Sequence, residues 1–144
     1  MAIAAKGYSG TPLAAKLGLR DGMAVGFIGL PPELDALAGA ADFGSVDRLE
    51  NWWDAAGATE HYDLLHGFTR RRSDLESLGA LQRAIRRYGT IWVSWPKKAA
   101  KVETDVTEDV VRSAALALDL VDVKVAAVDA VWSGLKLVVR KDRR

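Results

Sequence analysis

The sequence predicts one α/β domain over residues 1–144, with a mainly parallel sheet, helices on both faces and an antiparallel hairpin at its end. Apolar runs of strand length alternate along the chain with stretches of helical periodicity, which favours parallel strands joined by crossover helices. The run at 23–29 is apolar on both faces, as is typical of a strand buried in a parallel sheet. The last two strands, at 123–131 and 135–140, are joined by Trp132-Ser133-Gly134 alone, and so short a connection makes an antiparallel hairpin.

Start and stop signals divide the chain into the elements of this fold. Thr11 and Pro12 are typical of a helix N-cap and a first helical residue, and Gly18 is typical of a helix end. Pro31 and Pro32 end the pairing of the first strand and can start a helix. In order, we expect a helix at 12–17, a strand at 23–29, a helix at 31–37, a strand at 44–49, one or two helical turns at 50–56, a strand at 62–69, a helix at 73–88, a strand at 90–95, a helix ending at Leu118, and the two hairpin strands.

The two later helices have the clearest end signals. Ser73 and Glu76 have the spacing of a capping box, in which each side chain bonds a backbone amide of the other's turn. Gly89 follows as the expected stop. The next helix is capped by Asp105 or Thr107, with acidic residues in its first turn. The inner face of the first of these helices is apolar at spacings of three and four, at Leu75, Leu78, Leu81, Ile85 and Tyr88.

Composition excludes several classes of function. The chain has no cysteine, so disulfides, thiolate nucleophiles and thiolate metal sites are absent. It contains no run of about 18 apolar residues of the kind that spans a bilayer, so we expect a cytoplasmic protein that does not enter a membrane. The formal net charge is +1, which gives no reason to expect a specific nucleic-acid binder. Local charged patches must decide that question.

Sequence motifs for catalysis and for metal binding are missing. Neither a phosphate-binding loop nor a G-x-G-x-x-G after a strand occurs, and no serine lies in G-x-S-x-G. His61 and His66 are the only histidines, and their odd spacing on a strand puts the two rings on opposite faces. We therefore interpret both as packing residues, and we predict no catalytic residue and no metal ligand.

The tryptophans fall into two pairs. Trp52 and Trp53 are adjacent, so they cannot both point into the same core, and one of them should contact a loop or a partner. Trp92 and Trp95 lie three apart on a strand and must face opposite ways. We interpret Trp92 as a packing residue and Trp95, at the strand end, as a candidate wall of a site.

Two basic clusters follow two of the predicted strands. Arg70-Arg71-Arg72 comes directly after the strand at 62–69, and Lys97-Lys98 comes after the strand at 90–95. Ligands of open α/β sheets bind outside the carboxyl ends of the strands, where the hairpin tip should also lie. The sequence thus predicts an anion-binding site at this edge, while solvated loop charge is an equally plain interpretation. The predicted ligand-binding residues are Arg70, Arg71, Arg72, Trp95, Lys97, Lys98 and Trp132.

This layout, Rossmann-like in its three layers, resembles the fold of S-adenosylmethionine-dependent methyltransferases, whose sheet also ends in an antiparallel hairpin. The segment 19–25, LRDGMAV, resembles the start of the first strand of that family, and 62–65, YDLL, that of its fourth. The resemblance implies an acidic residue after the second strand, here Glu50. The chain departs from the family where Gly29 is followed by Leu30-Pro31-Pro32 instead of a glycine-rich loop. Because proline lacks an amide donor, we expect S-adenosylmethionine to bind weakly or not at all, and we predict no cofactor.

Four longer motifs are similar to those of an uncharacterised bacterial domain family of unknown function. They are YSGTPL at 8–13, WVSWPKK at 92–98, TDVTEDVV at 104–111 and VWSGLK at 131–136. This resemblance covers nearly the whole chain and implies no activity.

Three hypotheses of function remain open. The first is a non-catalytic binding or regulatory protein that holds an anionic small molecule or protein partner at the carboxyl edge. The second is a divergent S-adenosylmethionine-dependent methyltransferase. The third is an interaction protein that forms a homodimer through an exposed strand edge or the Trp52/Trp53 segment. An enzyme needs a concave pocket with convergent polar groups, whereas an interaction protein needs a contiguous apolar patch.

Overall fold

A six-stranded sheet organises residues 12–144, which are the part of the chain that this computed structural model describes. The strands are β1 (Ala24–Ile28), β2 (Ser45–Leu49), β3 (Tyr62–Phe68), β4 (Ile85–Pro96), β5 (Leu120–Ala127) and β6 (Trp132–Val139). Their order across the sheet is β2-β1-β3-β4-β6-β5. The first four strands are parallel, and β6 runs antiparallel to both β4 and β5. The predicted α/β layout with its closing hairpin is confirmed.

In the described part of the chain, three α-helices and five short 3-10 helices lie between and beside the strands. The α-helices are α1 (Leu13–Leu17), α2 (Leu78–Ala84) and α3 (Glu108–Leu116), and the 3-10 helices span Pro32–Gly39, Trp52–Ala55, Arg72–Ser77, Lys98–Ala100 and Lys141–Arg143. Gly18 ends α1 at a φ of 82°, as expected, while its predicted cap Thr11 lies outside the described residues. Thr107 caps α3 by accepting a hydrogen bond from the amide of Val110 at 3.2 Å. Within residues 12–144 no helix has the length and apolarity that a bilayer crossing requires.

Alternation along the strands divides the core between the two faces of the sheet. Phe27 and Ile28 are adjacent and both fully buried, but they belong to different hydrophobic clusters. One cluster packs under α2 and α3, and the other packs under α1 and the 3-10 helix at Pro32–Gly39. Helices therefore cover both faces, which explains why the run at 23–29 is apolar throughout.

The helix that the sequence predicts over 73–88 is much shorter in the structure. Ser73 makes no capping bond, and the first turns are a 3-10 helix before α2 begins at Leu78. The chain turns extended at Ile85, which pairs with Tyr62 as the first residue of β4. Ile85 would be buried in either conformation, so its apolar spacing could not distinguish the end of a helix from the start of a strand. Tyr88, the last apolar residue of the predicted face, is instead 82% exposed.

The hairpin turn also lies earlier than its sequence prediction. Trp132-Ser133-Gly134 belongs to β6, and the turn falls between Ala127 and Trp132. The carboxylate of Asp129 holds this turn by accepting hydrogen bonds from the amides of Val131 and Trp132, at 2.9 and 2.6 Å. Gly134 serves close packing, because a Cβ there would lie 2.9 Å from Oγ of Ser94.

Candidate functional site

A cavity of about 620 Å³ lies at the carboxyl edge of the parallel strands. The segments that follow β1, β2 and β3 line it, together with the end of β4 and the start of β6. Its size is within the range of small-molecule sites, and its position is the one that open α/β sheets use for ligands.

The turn after β1 brings the backbone close to the neighbouring strands. Gly29 has a φ of 65°, and a Cβ at this position would lie 3.2 Å from the carbonyl oxygen of Phe68. The amide of Gly29 donates to the carbonyl of Leu49 at 2.8 Å, which ties the end of β1 to the end of β2. Pro31 and Pro32 follow on the cavity wall, so two positions of this loop have no amide donor.

The segment after β2 contributes one carboxylate and one large aromatic ring. Glu50 lines the cavity, and among residues 12–144 its carboxylate has no hydrogen-bond or ion-pair partner. Trp52 is buried and lies below it, where the indole Nε1 donates to the carbonyl of Phe68 at 3.2 Å. Gly67 of β3 makes room for this ring, since a Cβ there would lie 2.5 Å from Cζ2 of Trp52.

The segment after β3 contributes two arginines and a second carboxylate. The hydroxyl of Thr69 accepts from the amide of Arg71 at 2.9 Å and donates to Asp74 at 2.6 Å. The Arg71 guanidinium lies 3.6 Å from the other oxygen of Asp74, whose side chain is 11% exposed. Asp74 is thus fixed in orientation on the cavity wall. Arg70 also lines the cavity and has no carboxylate within 4 Å in the described part of the chain.

The apolar side of the cavity is formed by two aromatic rings. Phe68 and Trp132 meet edge to face, with ring centroids 5.3 Å apart. The Asp129 turn places Trp132 at the start of β6, directly opposite Pro96 at the end of β4. A flat ligand group would therefore find an aromatic wall on one side and charged groups on the other.

The structure brings together three of the seven residues that the sequence predicts for the site, namely Arg70, Arg71 and Trp132. Arg72 lines a different surface pocket, and its amide donates to Asp105 at 2.6 Å. Lys97 and Lys98 follow β4 but do not line the cavity. Trp95 is 6% exposed and belongs to the core under α2 and α3, because the alternation of β4 turns it inward.

The cavity also contains acidic residues that the sequence analysis did not assign to it. Glu33 follows the two prolines, and Asp74 belongs to the 3-10 helix at Arg72–Ser77. The only signal that could have found them is position, since both lie within a few residues of a strand's carboxyl end. Three carboxylates and two guanidinium groups therefore converge on one concave surface.

The histidines lie outside this cavity. His66 is fully buried, and its ring stacks on Phe68 with centroids 4.1 Å apart. Its Nε2 is 2.7 Å from Oγ of Ser94, and burial lowers the pKa of the ring to about 3. It is a neutral packing residue in the core, whereas His61 is exposed, so the two rings are separated. Among the described residues no three histidine or acidic side chains lie close enough together to hold a metal ion, although three carboxylates line the cavity.

The two adjacent tryptophans separate as predicted. Trp52 is 2% exposed in the core below the cavity, whereas Trp53 is 59% exposed.

Comparison of the fold with solved structures finds S-adenosylmethionine-dependent methyltransferases. A methyltransferase of this kind from Aquifex aeolicus is 15% identical, with a TM-score of 0.65 over 89% of this chain and 88% of that one. Magnesium protoporphyrin IX methyltransferase from Synechocystis with bound S-adenosylmethionine is 13% identical, with a TM-score of 0.60 over 89% and 74%. A third methyltransferase, from Mesorhizobium loti, is 11% identical, with a TM-score of 0.59 over 87% and 94%.

The chain therefore has the Rossmann-like fold of S-adenosylmethionine-dependent methyltransferases, which confirms the resemblance of layout. No family model matches the sequence, and neither does any curated protein. The similarity to an uncharacterised bacterial family stays a prediction.

Proposed function

We propose that this protein binds S-adenosylmethionine in the carboxyl-edge cavity and transfers its methyl group to an acceptor. The observation that carries the proposal is Glu50, which directly follows β2, lines the cavity near the Gly29 turn and has no partner for its carboxylate among residues 12–144. A carboxylate accepts hydrogen bonds from the two adjacent hydroxyls of a ribose, and such charge-assisted bonds are stronger than neutral ones. The shared fold adds support for this ligand class.

The remaining wall fits the other parts of the same ligand. Trp132 and Phe68 offer an apolar surface of the kind on which an adenine ring can lie. Glu33 adds a second negative charge to the cavity, and S-adenosylmethionine carries a positive sulfonium. In place of a glycine-rich loop this chain has Pro31 and Pro32, which have no amide hydrogen to donate. The proposal assigns that part of the recognition to Arg70 and Arg71, whose forked donors suit a carboxylate.

The chemistry of transfer requires little from the protein beyond placement. When bound, S-adenosylmethionine supplies a methyl group that is bonded to a positively charged sulfur. An acceptor lone pair attacks the methyl carbon, and the sulfur leaves with the electron pair of the broken bond. Asp74 is oriented by Thr69 and Arg71 on the same wall, so its carboxylate can take up the proton that the acceptor loses.

Calorimetric titration with S-adenosylmethionine and with S-adenosylhomocysteine tests the proposal. We expect binding to the unmodified protein, and Glu50→Gln should weaken it by about tenfold or more, since a hydrogen bond to a charged group contributes roughly 1.5–3 kcal/mol. Glu76→Gln is the matched control, because Glu76 is an exposed glutamate outside this cavity. Absence of binding to the unmodified protein would contradict the proposal, and so would an equal loss in both variants.

The second candidate is a non-catalytic protein that binds an anionic ligand, and the observation that favours it is Arg70. This guanidinium lines the cavity and has no carboxylate within 4 Å among residues 12–144, while Pro31 and Pro32, in the segment after β1, leave the cavity wall with fewer amide donors. Inorganic phosphate is a suitable probe. The second candidate predicts that phosphate binds, that Arg70→Ala/Arg71→Ala abolishes this binding, and that Lys97→Ala/Lys98→Ala preserves it. If these results are found and S-adenosylmethionine fails to bind, the second candidate replaces the first.

A further inference from the structure

The amino edge of the sheet, opposite the cavity, carries a basic surface around one exposed aromatic ring. We call it the Tyr88 patch, and it comprises Arg86, Arg87, Tyr88, Arg140, Lys141, Arg143 and Arg144. Tyr88 lies near the start of β4, whose other end, Pro96, lines the cavity. The two surfaces are therefore separated by the length of the central strand. We propose that the Tyr88 patch binds single-stranded nucleic acid without sequence specificity.

The first observation is the exposure of the ring. Tyr88 is 82% exposed, more than any other large apolar side chain in the described part of the chain. The early end of α2 turns this residue out of the predicted core face and onto the first residues of β4. A tyrosine in this position buries little within its own chain, so the ring face turned away from Arg144 is open to stack on another planar group.

The second observation is the convergence of cations from two distant segments. Thr90 of β4 pairs with Val138 of β6, so the chain after β6 passes beside Tyr88. The guanidinium of Arg144 lies 5.6 Å from the centre of the Tyr88 ring, and its Nε donates to the carbonyl of Val139 at 2.7 Å. A cation is thus held in place beside an exposed aromatic ring.

Four carboxylates neutralise only part of this charge. Glu60, Asp63, Asp119 and Asp142 form ion pairs with patch arginines at 3.1 to 3.8 Å. Lys141 and Arg144 have no carboxylate within 4 Å among residues 12–144. The patch keeps six cationic side chains against four anionic ones, in a chain whose net charge is only +1. The whole-molecule charge therefore conceals a local basic surface.

The combination of ring and cations selects the partner. An acidic protein or an anionic membrane would also be attracted by the charges, but neither combines regularly spaced anionic groups with exposed planar rings that can stack on Tyr88. A duplex presents phosphates but hides the faces of its bases. Single-stranded nucleic acid offers both, since base stacking on an aromatic side chain is worth roughly 1–3 kcal/mol and phosphates bind arginine and lysine.

Fluorescence anisotropy with a labelled uridine 12-mer tests this inference on the full chain. We expect binding at low salt, and Lys141→Ala/Arg144→Ala should weaken it about tenfold or more. The matched control Lys97→Ala/Lys98→Ala removes the same charge from the other edge and should change the dissociation constant by less than about twofold. Tyr88→Ala should weaken binding several-fold, while Tyr88→Phe keeps the stacking face and should bind nearly as the unmodified protein does.

Three results would overturn the inference. The first is the absence of binding to the 12-mer at low salt. The second is equal or tighter binding to the matching duplex or to anionic phospholipid vesicles. The third is an equal effect of the two lysine-containing double variants, which would show diffuse surface charge. Thermal melting of each variant, expected within a few degrees of the unmodified protein because the changed side chains are exposed, separates lost binding from lost folding.

Discussion

The two edges of the sheet use charged side chains in different ways. At the carboxyl edge the surface is concave, acidic and basic groups line one cavity, and Glu50 and Arg70 lack charged partners among the described residues. At the amino edge the surface is open, and ion pairs cross-link neighbouring elements, as Asp63 does by binding both the amide of Ala24 and the guanidinium of Arg86. Unpartnered groups in a concavity suit a small molecule, whereas an excess of one charge on an open surface suits a polymer.

Both surfaces depend on the same central strands, so unfolding at low pH should abolish binding at both of them. This is the largest effect that we predict. Burial lowers the pKa of His66 from 6.5 to about 3. Between these values the unfolded chain binds a proton that the folded chain does not, so the free energy of unfolding should fall as the pH falls from 6.5 toward 3. The slope from this one group is up to about 1.4 kcal/mol per pH unit.

Denaturant melts of the unmodified protein and of His66→Gln measure this contribution. The variant should be less stable at pH 7 but should lose less stability between pH 6.5 and pH 4, because glutamine does not titrate. Parallel pH profiles for the two proteins would contradict the role given to His66.

A change below the cavity should impair ligand binding at the carboxyl edge but not at the amino edge. In Gly67→Ala the new Cβ would lie 2.5 Å from the Trp52 ring, which must move and disturb the cavity wall. We expect a loss of about 1–3 kcal/mol in the free energy of unfolding and weaker binding of S-adenosylmethionine. Binding of the uridine 12-mer should stay unchanged when measured well below the melting temperature.

Gly79→Ala is the control for this substitution. Gly79 lies in α2, where the nearest atom to a new Cβ is 3.7 Å away, so alanine should stabilise the protein by about 0.5–1 kcal/mol. A Gly67→Ala variant as stable as Gly79→Ala would show that Trp52 is not packed against β3 as described.

The salt dependence of ligand binding should also differ between the two surfaces, and this is the smallest effect that we predict. If three phosphates are neutralised at the Tyr88 patch, a fourfold rise in salt should weaken binding of the 12-mer about 20-fold. Binding in the cavity should change by less than about twofold, because a partly enclosed site is screened less. Titrations of both ligands at about 50 mM and about 200 mM salt, a fourfold difference, measure the two slopes. Equal slopes would remove the distinction between the two edges.

The sequence predicted the order of elements well because a strand that is buried on both faces is a continuous apolar run, which is easy to recognise. The strand at Ala24–Ile28 and the αL stop at Gly18 were both read from residue type alone. The errors lie where two conformations bury the same residues. Ile85 is buried whether it ends a helix or starts β4, and only its pairing with Tyr62, distant in sequence, decides between them.

The site was harder to predict than the fold because its members come together only in three dimensions. Arg70 and Arg71 could be placed at the carboxyl edge by the general rule for parallel sheets. Lys97 and Lys98 also come directly after a parallel strand, but they do not line the cavity. Trp95 was assigned to the wall by its position at a strand end, yet alternation along β4 puts its ring in the core.

The comparison of the two edges is tested most directly by NMR with the labelled protein and each ligand in turn. S-adenosylmethionine should shift the amide signals of Gly29, Glu50 and Thr69 and leave those of Arg87 and Arg144 in place. The uridine 12-mer should do the reverse, and each ligand should bind with nearly the same affinity when the other is present. Shifts from both ligands at the same edge, or no shifts at the cavity with S-adenosylmethionine, would contradict the assignment of a small-molecule site to one edge and a polymer site to the other.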